Sequence, residues 1–208
     1  MARIDFSLYL VTDRHQTGGR PLRDVVQAAL RAGVRAVQLR EKDLPPRALL
    51  ALARDLAGLA RTYEARVLVN DRVDVCLASG STGVHLPATG LPVAAARGLV
   101  GPDRLIGRSA HSAEEAARAE ADGADFVVLG PIFETPSKRV FGPPIGLREL
   151  ERARACCQVP LFGIGGITTA RVRDVLKAGA RGVAVIGSVM AAEDVERASR
   201  EFLHALEG

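Results

Sequence analysis

One unit repeats along this chain from end to end. A short apolar, β-branched run is followed by an amphipathic helical stretch, and the pair recurs eight times in 208 residues. The runs are SLYLVT (7–12), AVQLR (36–40), RVLVN (66–70), GVHL (83–86), LIGRS (105–109), DFVVLG (125–130), PLFGIG (160–165) and GVAVIG (182–187). The helical stretches fall near 21–32, 46–63, 72–79, 92–99, 112–122, 146–156, 169–178 and 193–206. Strands that are nearly continuous in apolar residues are buried on both faces, the condition of a parallel sheet covered by helices. Four helix-to-strand junctions look alike: RAGVRAVQL, ASGSTGVHL, ADGADFVVLG and KAGARGVAVIG. Each sets a glycine just past the helix, where a left-handed residue commonly ends it. Ser112 stands before Glu114 and Glu115, and Thr168 before an apolar-periodic run, as at helix starts. Eight such units make a small α/β (β/α)8 TIM barrel the expected fold, a single domain over 1–208. A doubly wound open sheet is the alternative.

Composition narrows the class of partner. Hydrophobic residues make up 48% of the chain and charged residues 25%, so a globular core is expected. No uncharged apolar run approaches the length of a membrane span. MARIDFSLYLVTDR at the N-terminus lacks the pattern of a signal peptide. Cys76, Cys156 and Cys157 fit neither a disulfide framework nor a zinc spacing, so reduced thiols in a cytoplasmic protein are expected. The formal charge is +4, but Arg and Lys are scattered, aromatics are only 4% and Trp is absent. That gives no stacking platform for nucleic acid. The cation excess is therefore assigned to small phosphorylated substrates, with no nucleic-acid or membrane partner; self-association as a homo-oligomer stays open.

A barrel of this kind builds its active site at the C-terminal ends of its strands. The second run ends in VQLREK, with Gln38, Arg40 and Lys42 at alternate positions. Alternate side chains of a strand share a face, so these three donors are expected to converge on an anion. The third run ends in Asn70-Asp71, placed either to cap the next helix or to offer a carboxylate to Mg²⁺. His85 ends the fourth run and reads first as a structural histidine. Ser109 and His111 follow two apart in the fifth, and His111 is the best-placed acid or base. The loop 130–146 carries Thr135, Ser137 and Lys138 as three close donors. GIGGI at 163–167 exposes backbone amides before a helix, and Ile186-Gly187-Ser188 ends the eighth run. Together they read as a second phosphate cradle.

These stretches resemble the thiamine-phosphate synthase family and its close relative, the thiazole tautomerase of thiamin biosynthesis. The resemblance runs through YLVTDR (9–14), VQLREK (37–42), VNDRVDV (69–75), GVHL (83–86), IGRSAHS (106–112), GADFVVLGPIFETPSK (123–138) and GIGGI (163–167). It implies the same barrel and a transferase that joins an aminopyrimidine diphosphate to a thiazole phosphate. Under it, Gln38, Arg40, Lys42 and Asn70 hold the pyrimidine diphosphate, and Asp71 ligates Mg²⁺. Ser109 and Lys138 contact the diphosphate or the departing pyrophosphate. Thr135 and Ser137, with the amides of Gly165 and Gly166, take the thiazole phosphate, next to Ile186 and Gly187. Two positions depart from the synthase pattern. Gly90 stands where a second carboxylate ligand is usual, and Gly187 where Ser is frequent. HLPATGLP, IGRSAHS and IFET resemble the tautomerase branch, in which His111 would be the acid–base group and no metal is needed. A non-catalytic ligand-binding homologue is the further alternative.

Overall fold

The computed structural model describes residues 4–135 and 143–208. Eight parallel strands close into a barrel in chain order. They are β1 Leu8–Val11, β2 Ala36–Leu39, β3 Arg66–Asn70, β4 Gly83–Leu86, β5 Leu105–Ala110, β6 Phe126–Leu129, β7 Leu161–Ile164 and β8 Gly182–Val185. Closure is direct: Tyr9 pairs with Ala36 on one side and with Ala184 on the other. The helices around it are α1 Leu22–Arg31, α2 Pro46–Thr62, α3 Val73–Ser79, α4 Val93–Val100, α5 Ala113–Ala121, α6 Gly146–Cys156 and α7 Thr169–Lys177. A short α8, Gly187–Met190, leads to α9, Val195–Glu207. The eight expected helices are all present. The short α8 and a 3-10 turn at Arg14–Gln16 are additions, both sitting at strand ends.

The expected two-sided burial of the strands divides into two cores. Leu8, Leu10, Val37, Leu39, Val67, Val69, Val84, Leu86, Ile106 and Val127 face outward and pack under the helices. Tyr9, Val11, Ala36, Leu68, Leu105, Phe126, Val128, Phe162 and Ala184 fill the lumen. This is the period-two alternation of a strand with apolar residues at both phases. Phe6, just before β1, closes the lower end: its ring lies 5.2 Å from Phe162 and 5.6 Å from Phe126. Removing a ring such as Phe126 from this filled lumen would cost about 3–5 kcal/mol.

The four look-alike junctions turn as the glycine spacing predicts. Gly33, Gly80, Gly123 and Gly179 all have positive φ, between 70° and 111°. Ser112 caps α5 by accepting from the Glu115 amide, whereas Thr168 stands at the cap position of α7 without a side-chain cap bond. The three cysteines are free thiols, Cys76 and Cys157 buried and Cys156 exposed. Among the described residues no helix is long and apolar enough to cross a membrane.

Candidate active site

The strand ends named from the sequence gather at one mouth of the barrel, with adjustments. On β2, Gln38 points into the lumen, 3% exposed, and its Nε2 donates to the Tyr9 hydroxyl at 3.3 Å. The strand stops at Leu39, so the shared-face argument does not carry through to Lys42. Arg40 is fixed by its backbone N–H donating to Thr12 Oγ1 at 2.9 Å. Lys42 lies in an exposed turn beyond the strand. Neither Arg40 nor Lys42 forms an ion pair with a described residue, so both charges are uncommitted.

Glu41 lies between them with its side chain only 1% exposed. It accepts from Thr12 Oγ1 at 2.7 Å and from the backbone and guanidinium of Arg14. Arg14 also forks onto Asp43. Its hydrogen bonds hold the Asp43 carboxyl well below the usual carboxylate range. This cluster ties the ends of β1 and β2 together. It consumes Arg14 and leaves Arg40 and Lys42 as the cations of that rim. Nothing in the alternation of VQLREK signals Glu41. The useful sign was an acid flanked by two bases at a strand end.

On β3, Asn70 is half-buried and Asp71 adopts φ 63°, a left-handed conformation that Asp tolerates better than most residues. Its N–H donates to the His85 carbonyl at 2.9 Å. Helix α3 begins at Val73 with Arg72 at its cap and no side-chain cap bond. The Asp71 carboxylate is therefore not a helix cap. A Cβ on Gly90 would stand 2.8 Å from Asp71 Oδ1, so the loop after β4 brings residue 90 against this carboxylate. Arg108 fastens that loop, donating to the Ala88 and Leu91 carbonyls at 2.8 Å each. Among the described residues no three metal-ligating side chains cluster.

His85 faces the lumen, with Nε2 2.9 Å from Ser109 Oγ and Nδ1 3.5 Å from the Tyr9 hydroxyl. Burial, with Arg108 and Arg40 nearby, pushes its pKa down to about 3, so the ring is neutral at ordinary pH. Burial likewise raises the Tyr9 phenol, which stays protonated. A Cβ on Gly107 would lie 2.6 Å from His85 Nδ1, and only glycine leaves room for the ring there. Ser109 remains part-exposed at the mouth. His111 does not share its setting. It lies past the end of β5, 51% exposed, with Nδ1 3.3 Å from Glu115.

The far side of the mouth is glycine and backbone. Gly165 and Gly166 have φ 99° and 63°, and a Cβ on Gly166 would meet the Glu134 carbonyl at 2.5 Å. The loop after β6 is stitched to them: Ile132 N–H donates to the Ile164 carbonyl and Phe133 N–H to the Gly165 carbonyl. Thr135 continues that loop, while Ser137 and Lys138 lie outside the described residues. Ile186 follows β8 at the cap position of α8, which Gly187 opens; Gly187 faces Gln16, whose Oε1 would be 2.6 Å from an added Cβ. Sequence reasoning passed over Tyr9, which stands in an apolar run and reads as core.

Comparison with known proteins follows the same map. A sequence model for a family described as thiamine monophosphate synthase matches residues 8–189. A putative thiamine-phosphate synthase of Geobacter sulfurreducens is 51% identical over 206 residues, covering 99% of this chain and 97% of that protein. The thiamine-phosphate synthase of Roseiflexus castenholzii is 47% identical over 193 residues, covering 93% and 85%. Among solved structures, thiamine phosphate pyrophosphorylase from Pyrococcus furiosus superposes with a TM-score of 0.89 at 38% identity, covering 97% and 96%. A 3-hexulose-6-phosphate synthase, 18% identical with a TM-score of 0.68 and covering 96% and 99%, shares the barrel fold alone.

Proposed function

Because the chain belongs to the thiamine monophosphate synthase family, we propose that it works as a thiamine-phosphate synthase, a transferase acting on an aminopyrimidine diphosphate and a thiazole phosphate. The observation that carries this reading is the meeting of Gln38, Arg40, Asn70-Asp71, Ser109 and the Gly165-Gly166 turn at one mouth, with the charges of Arg40 and Lys42 uncommitted.

In the reaction the bond from the pyrimidine methylene carbon to the diphosphate oxygen breaks, and pyrophosphate leaves with the electron pair. The thiazole nitrogen then gives its lone pair to that carbon. No protein nucleophile is required. Charge develops on the leaving oxygens, and preorganised donors aimed there are the main source of rate. Arg40, Lys42, Ser109 and Lys138 take that role, Gln38 and Asn70 orient the pyrimidine, and Thr135, Ser137, Gly165, Gly166, Ile186 and Gly187 cradle the thiazole phosphate.

Asp71 suits Mg²⁺, since its carboxylate is not used as a helix cap and Mg²⁺ is ordinarily held by one or two carboxylates with substrate phosphates and water. Bound there, the ion would supply charge neutralisation for the leaving diphosphate. The tautomerase alternative asks for an acid–base group in the site, whereas His111 is directed at Glu115 on the outside. The test combines purified protein, the aminopyrimidine diphosphate and the thiazole phosphate under a Mg²⁺ titration, reading thiamin phosphate. Mg²⁺-dependent product is expected. No product at any Mg²⁺ concentration would overturn the synthase reading.

A further inference from the structure

Beneath the mouth, four side chains from four strands make one chain of hydrogen bonds. Gln38 Nε2 lies 3.3 Å from Tyr9 Oη, which lies 3.5 Å from His85 Nδ1; His85 Nε2 lies 2.9 Å from Ser109 Oγ. The first three are buried at 3%, 0% and 2% exposure, and Ser109 alone reaches the opening.

The chain has a direction. An amide nitrogen only donates, so Tyr9 Oη accepts from Gln38. The phenol keeps one proton, and its remaining neighbour in the chain is His85 Nδ1. That nitrogen must then offer a lone pair, which places the ring proton of the neutral imidazole on Nε2. Nε2–H donates to Ser109 Oγ. With its oxygen accepting from below, Ser109 has its own hydrogen to give, and the open direction is the mouth, where an anion is expected.

We propose that Tyr9 and His85 are positioning residues that, with the Gln38 amide donating at the head of the chain, hold Ser109 as a committed hydrogen-bond donor to a diphosphate oxygen of the substrate. The role of Ser109 rests on the synthase reading; the direction of the chain rests on the hydrogen-bond geometry and the neutrality of the buried ring. His85 in this scheme gives no proton to the leaving group. It acts through Ser109 and touches neither the substrate nor the reacting atoms. Chains of this kind polarise one another, so an upstream member affects the last donor.

Two measurements test this. The first needs no substrate: two-bond ¹H–¹⁵N spectra of the full chain labelled with ¹⁵N-histidine, the His85 ring being assigned through its contacts to the Tyr9 and Phe126 rings. The Nε2–H tautomer is expected. The Nδ1–H tautomer would mean that the chain runs the other way, with Ser109 donating inward, and would overturn the proposal.

The second is a double-mutant cycle on kcat/KM for the pyrimidine diphosphate. Tyr9→Phe keeps the ring and removes the proton to Nδ1. It should lower kcat/KM about tenfold, below the roughly 100-fold that losing a whole oxyanion donor costs. In a Ser109→Ala background the same change should bring no further loss. An equal loss in both backgrounds would mark a merely structural tyrosine and overturn the proposal. Absence of thiamin phosphate from the wild-type protein would instead remove the synthase reading, and the tautomer result would still decide the direction of the chain.

Discussion

His85 sits neutral in the barrel lumen, and that burial makes folding stability depend on pH in a window where few other groups contribute. Its ordinary pKa of 6.5 falls to about 3 in the folded protein. Well above pH 6.5 the ring is neutral in both states and contributes nothing. Between 6.5 and about 3 the unfolded chain takes up a proton that the folded chain refuses, so stability falls as pH falls. Each pH unit in this window costs up to about 1.4 kcal/mol, and going from pH 6.5, where the unfolded ring is already half-protonated, to 4.5 costs about 2.3 kcal/mol. Asp43, Asp74 and Glu114, whose carboxyls are held low by hydrogen bonds from Arg14, from Arg72 and, for Glu114, from its own backbone N–H, add losses as pH approaches and passes below their ordinary values. The difference between the wild-type curve and that of a variant lacking the ring therefore isolates the histidine. Urea unfolding of wild type and His85→Asn at half-unit steps would measure it. The variant should start less stable, and its curve should be flatter by about 2.3 kcal/mol over the window. Parallel curves would show that the ring is protonated in the folded state, and the account of a neutral lumen histidine would fall.

Three further outcomes are expected. Lys138→Ala should lower turnover by roughly 100-fold or more with an unchanged circular dichroism spectrum, since it removes a cation assigned to the leaving group; a normal rate would take Lys138 out of the mechanism. His111→Ala should change thiamin phosphate formation less than about twofold, as expected of a half-exposed side chain directed at Glu115. Gly182→Ala and Gly187→Ala should separate by thermal unfolding. At 182 the added Cβ would lie 1.9 Å from the fixed Ser7 carbonyl, while at 187 it would meet only the end of the Gln16 side chain at 2.6 Å. The first should cost about 3 kcal/mol and the second under about 1 kcal/mol.

The fold was legible because its signals are local and repeated. Strands apolar at both phases, and a glycine after each of four helices, describe a parallel sheet covered by helices before any contact is known. The candidate site was legible only as far as strand ends could be located. Gln38 at the end of β2 and Asn70 at the end of β3 stand where periodicity placed them. Lys42 does not continue the strand face, because β2 stops at Leu39 and the buried Glu41, tied to Thr12 and Arg14, turns the chain. Tyr9 was hidden for a different reason. Its hydroxyl partners, Gln38 and His85, are 29 and 76 residues away, and one apolar-looking run holds no trace of them. The pairing of Asp71 with residue 90 is equally non-local, made by a loop that Arg108 fastens.

The aromatic floor beneath the mouth has a consequence for traffic. Phe6, Phe126 and Phe162 pack together below Tyr9, so the lumen is closed by an aromatic floor under the strand ends. A ligand stopped at this floor would leave by the side it entered, so whatever settles deepest would be released last. On the proposed placement, with the pyrimidine near Gln38 and the thiazole phosphate at the glycine rim, the two reactants would load bottom first. The products would then have to clear the same doorway before the next round begins.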